Sequence, residues 1–121
     1  MIGNLSILLT GDGSTTILNS GLDETYHSVH GATTEAKHVY INAGLDFFLK
    51  NTTANSVNIF EVGFGTGLNA CLTYQYALAH RVNINYTSIE SFPLPLHLLE
   101  KLQFPALEKS RLETIHLATW N

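Results

Sequence analysis

The hydrophobic and polar positions change their period along the chain, and each change marks an element. Residues 5–10 and 15–18 are short β-prone runs around Gly11-Asp12-Gly13-Ser14. An Asp-Gly pair between such runs predicts an N-terminal β-hairpin. Asn19-Ser20-Gly21 then breaks the chain. From Thr33 to Leu49 the apolar residues Ala36, Val39, Tyr40, Ala43, Leu45, Phe47 and Phe48 recur with helical period. The pattern predicts a helix to about Ala43, an interruption at Gly44, and a second short helix through Leu49. Residues 50–56 are a polar connector. Val57, Ile59, Phe60 and Val62 then form a β-branched and aromatic run suited to a buried parallel strand. Residues 68–80 are rich in Leu and Ala and predict a helix. Residues 83–90 predict a second parallel strand, and residues 97–102 a short helix set off by Pro93 and Pro95 and ended by Pro105. A mixed or helical segment, with Leu107, Leu112, Ile115 and Trp120 apolar, completes the chain. These elements predict an α/β fold with a partial parallel sheet and the N-terminal hairpin, in one domain over 1–121. Within it, 1–50 holds the hairpin and helical segment, and 57–121 a β-α-β-α portion.

Composition narrows the class. A hydrophobic share of 45% with 13% charged residues suits a globular chain. No run is long and apolar enough to span a bilayer, and the start, Met1 to Ser6, lacks the basic and apolar regions of a signal peptide. Cys71 is the sole cysteine. No intramolecular disulfide can form, which fits a reducing, cytoplasmic setting. Cys71 reads as a buried small hydrophobe rather than a nucleophile. The net charge is −4, and the six Lys and Arg residues are scattered. That balance argues against strong nucleic-acid affinity by this chain alone.

Candidate chemistry concentrates at the strand-to-helix junction. Gly63, Gly65 and Gly67 alternate after Glu61, as Glu-x-Gly-x-Gly-x-Gly. A strand, a glycine turn and a helix start make a ligand cradle, with unpaired N–H groups and the positive helix end facing the ligand. A dinucleotide fingerprint would place a glycine where Leu68 stands. A P-loop needs a lysine, and none lies between Lys50 and Lys101. The glutamate-led spacing instead resembles the first motif of S-adenosyl-L-methionine-dependent methyltransferases. That cofactor has no pyrophosphate, so a carboxylate beside the turn is useful rather than repulsive. A turn that merely packs strand on helix is the plain alternative.

Glu90 ends the second predicted strand, where ligands bind in open α/β sheets. It suits the hydroxyls of a bound ribose, although its distance from the glycines exceeds the roughly 20-residue spacing of dinucleotide folds. A solvated strand-end acid is the alternative. Residues 22–38 collect His27, His30, His38, Tyr26 and three acids. A polar loop followed by a helix capped by Thr33 or Thr34, with Glu35 in its first turn, is one reading. A loop lining the cofactor pocket through Tyr26, His27 and Ser28 is another. A metal site is disfavoured, because the histidines lack zincin spacing and no cysteine is near.

Three stretches together carry a family resemblance: residues 26–32 (Tyr-His-Ser-Val-His-Gly-Ala) with Glu35, His38 and Val39; residues 61–69 (Glu-Val-Gly-Phe-Gly-Thr-Gly-Leu-Asn); and residues 89–94 (Ile-Glu-Ser-Phe-Pro-Leu). The chain resembles the methyltransferase that completes the methylaminomethyl group of 5-methylaminomethyl-2-thiouridine at the wobble position of certain tRNAs. In a bifunctional tRNA-modifying enzyme this domain is joined to a flavin oxidoreductase. The resemblance implies a Rossmann-like methyltransferase fold, S-adenosyl-L-methionine as cofactor and tRNA as partner. It implies that Glu61, Gly63, Phe64, Gly65, Thr66, Gly67 and Asn69 hold the methionine part. Glu90 would hold the ribose, with Ser91 and Phe92 near the adenine. Tyr26, Ser28 and Glu35 would close over the cofactor. The family's further strands, one bearing an Asp-Ala-Phe or Asp-Gly-Phe motif, have no match here, so the chain resembles the N-terminal half. No catalytic residue is assigned. Unpaired strand edges predict a homo-oligomer or pairing with a further segment. A nicotinamide-dinucleotide oxidoreductase and a non-catalytic Rossmann-like binding module are the alternatives.

Overall fold

The computed structural model describes residues 4–121, so Met1–Gly3 of the N-terminal reading lie outside the described residues. It holds an antiparallel sheet and a parallel sheet. The first comprises β1 (Leu5–Leu9), β2 (Thr15–Asn19) and β3 (Glu24–Thr25), in that order. The predicted hairpin is present, with Leu9 opposite Thr15. The two-residue β3 is additional. It pairs Leu18 with Thr25 and Asn19 with Glu24, and so carries the next loop back alongside β2.

The hairpin turn starts the helical region. Thr10 Oγ1 accepts the Ala32 N–H at 3.2 Å, Ser14 Oγ the Thr33 N–H at 3.2 Å and Asp12 Oδ2 the Thr34 N–H at 2.8 Å. These are the orphan donors of the first turn of α1 (Ala32–Ala36). Neither Thr33 nor Thr34 caps the helix, as the sequence suggested; the cap groups come from about 20 residues upstream. Burial tends to raise the Asp12 carboxyl, but hydrogen bonds from Ser14 and Thr34 outweigh it and hold it well below the usual carboxylate range.

Gly44 does not interrupt the next stretch. The chain continues from α1 through a π-helical segment, Lys37–Asp46, and returns to α-helix in α2 (Phe47–Lys50). Ile41 and Leu45 are buried there, whereas Phe47 and Phe48 are exposed rather than core. Tyr76 on α3 (Leu68–His80) donates to Asp46 Oδ1 at 2.8 Å and ties the two helical layers together.

The second sheet is β4 (Ser56–Val62) paired in parallel with β5 (Asn83–Ile89), Glu61 opposite Ser88. Helix α3 connects them, giving a β-α-β unit. Val57, Ile59 and Ile84 face inward with Leu68, Cys71 and Leu72 of α3. Cys71 is fully buried, and burial pushes its thiol up to about 11. The expectation of a strand buried on both faces is corrected on one side. Phe60 is 63% and Val62 75% exposed, because no element among the described residues covers that face. Helix α4 (Leu96–Leu99) is shorter than predicted, and α5 (Lys109–His116) ends before Trp120.

Candidate cofactor site

The glycine turn links β4 to α3, and its backbone requires its glycines. Gly65 has φ +56° and Gly67 φ +78°, both left-handed. A Cβ on Gly65 would lie 3.2 Å from Cδ2 of Tyr26, and one on Gly67 2.8 Å from Cζ of Phe64. Two aromatic rings therefore rest directly on bare main chain.

The three glycine N–H groups of the turn are not free, contrary to the sequence-based expectation. Gly63 N–H donates to Ile89 O at 2.8 Å, extending the parallel pairing past Val62. Gly65 N–H donates to Glu90 Oε2 at 2.9 Å, and Gly67 N–H to Phe64 O at 3.0 Å. The other Glu90 oxygen accepts the Phe92 N–H at 3.0 Å. Each Glu90 oxygen thus takes one backbone donor and keeps acceptor capacity for a ligand hydroxyl.

Two histidines grip the turn at Thr66, whose side chain is fully buried. His27 Nε2 is 3.0 Å from Thr66 Oγ1, and His116 Nε2 donates to Thr66 O at 2.7 Å. Burial lowers both imidazoles from their ordinary value; Glu35 partly offsets this at His27, and the bond to Thr66 at His116. Tyr26 and His27 thus reach the turn, through the phenol ring and the imidazole. Ser28 and Glu35 stand behind them: Ser28 N–H donates to Glu35 Oε1 at 3.2 Å. Burial, and then the Glu90 charge, raise the Tyr26 phenol.

Glu61 points inward, one level below the turn, and accepts the Ser88 hydroxyl at 2.8 Å. The Tyr86 hydroxyl is buried beside Glu61. Burial and Glu61 push that phenol far above its ordinary value, so it stays protonated. Asn69 lies in the first turn of α3, its carbonyl accepting the Thr73 hydroxyl at 2.7 Å. A cleft of about 1070 Å³ opens beside the turn, lined by Phe64, Gly65, Ser88, Glu90, His116 and Trp120 among others. Of the predicted cofactor residues only Phe64, Gly65 and Glu90 line it; the rest, Ser91 and Phe92 among them, do not, and Phe92 is 58% exposed. Among the described residues, no three His, Cys, Asp or Glu side chains are grouped to hold a metal ion.

Sequence reasoning offered His27 as pocket-lining without fixing its role, passed over His116, and took Trp120 only as apolar. No local signal marks them, since His116 and Thr66 are 50 residues apart.

No family model matches the chain. It is similar to proteins named tRNA 5-methylaminomethyl-2-thiouridine biosynthesis bifunctional protein MnmC. The one from Leptospira interrogans is 36% identical over 92 residues, covering 72% of this chain and 14% of that protein. The one from Leptospira borgpetersenii is 30% identical over 112 residues, covering 88% and 17%. The chain therefore spans a small fraction of the curated relatives it matches. In fold it is similar to the crystal structure of MNMC2 from Aquifex aeolicus, with a TM-score of 0.71 and 22% identity over 97% of this chain and 38% of that one.

Proposed function

We propose that the chain forms the S-adenosylmethionine-binding portion of a Rossmann-like tRNA methyltransferase, which converts the aminomethyl group of a modified wobble uridine to methylaminomethyl. The observation that carries the reading is the Glu90 carboxylate fixed on the glycine turn by the Gly65 N–H. A pyrophosphate would meet a negative charge there, and glycine N–H groups already bonded within the protein. An adenosyl group carries hydroxyls that a carboxylate can accept. The named relatives support tRNA as the substrate. The acidic balance of the chain leaves most tRNA affinity to other surfaces.

S-adenosylmethionine supplies an electrophilic methyl group on a sulfonium. In this reading Glu90 holds the ribose hydroxyls, and the bare main chain at Gly65 and Gly67 seats the Tyr26 and Phe64 rings that border the ligand. The Tyr26 ring covers the turn at Gly65. Most of the rate acceleration is then placement of the amine in line with the methyl group. The amine must be neutral to attack, and its proton passes to a base or to water.

Thermal denaturation separates this reading from its rivals. Saturating S-adenosylhomocysteine should raise the melting temperature while NAD and NADP leave it unchanged. Stabilisation by NAD or NADP alone would favour an oxidoreductase, and no effect from any of them a non-catalytic module.

A further inference from the structure

The aromatic residues at the cleft are not the ones the sequence pointed to. Phe92 follows Glu90 in the chain but lies outside the cleft lining. Phe64 and Trp120 line it, with ring centroids 5.3 Å apart and planes at 89°. In an edge-to-face pair each ring keeps at least one face free for another aromatic. Trp120 is 45% exposed, so part of its surface is open to the cleft or solvent.

The position of this pair is built in. The Phe64 ring is set by the turn itself, since it packs over Gly67 where a side chain would collide. Trp120 follows α5 by four residues, and α5 is pinned to the turn by the His116 bond to Thr66. Glu90, anchored on Gly65, lines the same cleft. One opening thus presents an acceptor for vicinal hydroxyls and an aromatic wall.

Resting on the adenosyl reading above, we infer that Trp120, backed by Phe64, is the stacking wall for the purine of the bound nucleoside. His116 is the positioning residue that holds this wall to the glycine turn. Phe92 serves the site only through its backbone N–H, which fixes Glu90.

Trp120 is the sole tryptophan, so its emission reports on this contact directly. The test titrates the full chain with S-adenosylhomocysteine, by calorimetry and by Trp120 fluorescence in parallel. Circular dichroism checks that each variant folds. The expected result is a change in emission with the same midpoint as the calorimetric binding curve. Trp120→Ala should weaken binding about tenfold, in the range of stacking losses. Trp120→Phe should restore most of it, and Phe92→Ala should leave it within about twofold. Binding by the wild type with unchanged emission, and wild-type affinity in Trp120→Ala, would overturn the stacking role and leave the adenosyl reading standing. No binding by the wild type would overturn that reading, and the stacking role with it.

Discussion

The Glu90 carboxylate accepts the N–H of Gly65 at 2.9 Å, across the gap between the end of β5 and the turn after β4. This one bond fixes two things. It sets the acid at the rim of the parallel sheet, and it fastens the turn on which Tyr26 rests. A solvated strand-end acid, the alternative reading of Glu90, would have no such partner.

Gly65 should tolerate no side chain. At φ +56° a Cβ costs roughly 1–2 kcal/mol in backbone strain alone. It would also press on Tyr26 at 3.2 Å. Gly65→Ala should therefore lower the urea midpoint, and Tyr26→Ala in the same chain should recover the steric part but not the strain. A double-mutant cycle on those midpoints measures the coupling, expected at about 0.5–3 kcal/mol. Strict additivity would mean that the ring does not rest on the turn.

Asp12→Ala should unfasten the start of α1 from the hairpin. The lost cap is worth about 0.5–2 kcal/mol in urea denaturation. Because the folded carboxyl titrates below its unfolded value, its stabilisation is complete above about pH 4 and disappears as pH falls through the depressed folded value. The stability gap between wild type and Asp12→Ala should accordingly narrow in acid. A gap independent of pH would place the effect elsewhere.

His27 and His116 predict a second pH dependence at a higher range. Both are held below the ordinary imidazole value by burial. The unfolded chain therefore takes up protons first as pH drops below about 6.5, and folding stability falls there. Urea midpoints between pH 7.5 and 5.5 should decline in the wild type. The decline should be shallower in His27→Gln, which removes one titrating ring while keeping a polar group near Thr66. An identical slope in both proteins would contradict the buried, neutral assignment of His27.

The parallel pair should associate. Phe60, Val62 and Ile89 are exposed on one face, and β4 and β5 each have an unpaired edge among the described residues. Sedimentation velocity should show a homo-oligomer that Val62→Lys weakens, since charge on an edge strand discourages pairing. A compact monomer at all concentrations would refute the association.

The parts of the fold that depend on neighbours in sequence were legible. The Val57–Val62 run, the alternating glycines and the Leu- and Ala-rich stretch after them define β4, the turn and α3 by period and backbone freedom alone. The Asp12-Gly13 turn likewise defines the hairpin. What escaped depends on contacts between distant segments. Asp12 caps a helix 22 residues downstream, and His27 meets Thr66 across 39 residues. Gly44 looked like a break because glycine is a poor helix former, yet the wider π-helical turns carry the chain through it. Phe60 and Val62 looked like core because their residue types suit a two-sided sheet; which face is covered is a property of packing, not of the strand itself.

Calorimetric titration with S-adenosylmethionine, comparing wild type and Glu90→Ala, tests the central claim most directly. The wild type should bind. The variant should lose about 1.5–3 kcal/mol of binding free energy, the value of hydrogen bonds to a charged acceptor. Equal affinity in the two proteins, or heat released by NAD but not by S-adenosylmethionine, would contradict it.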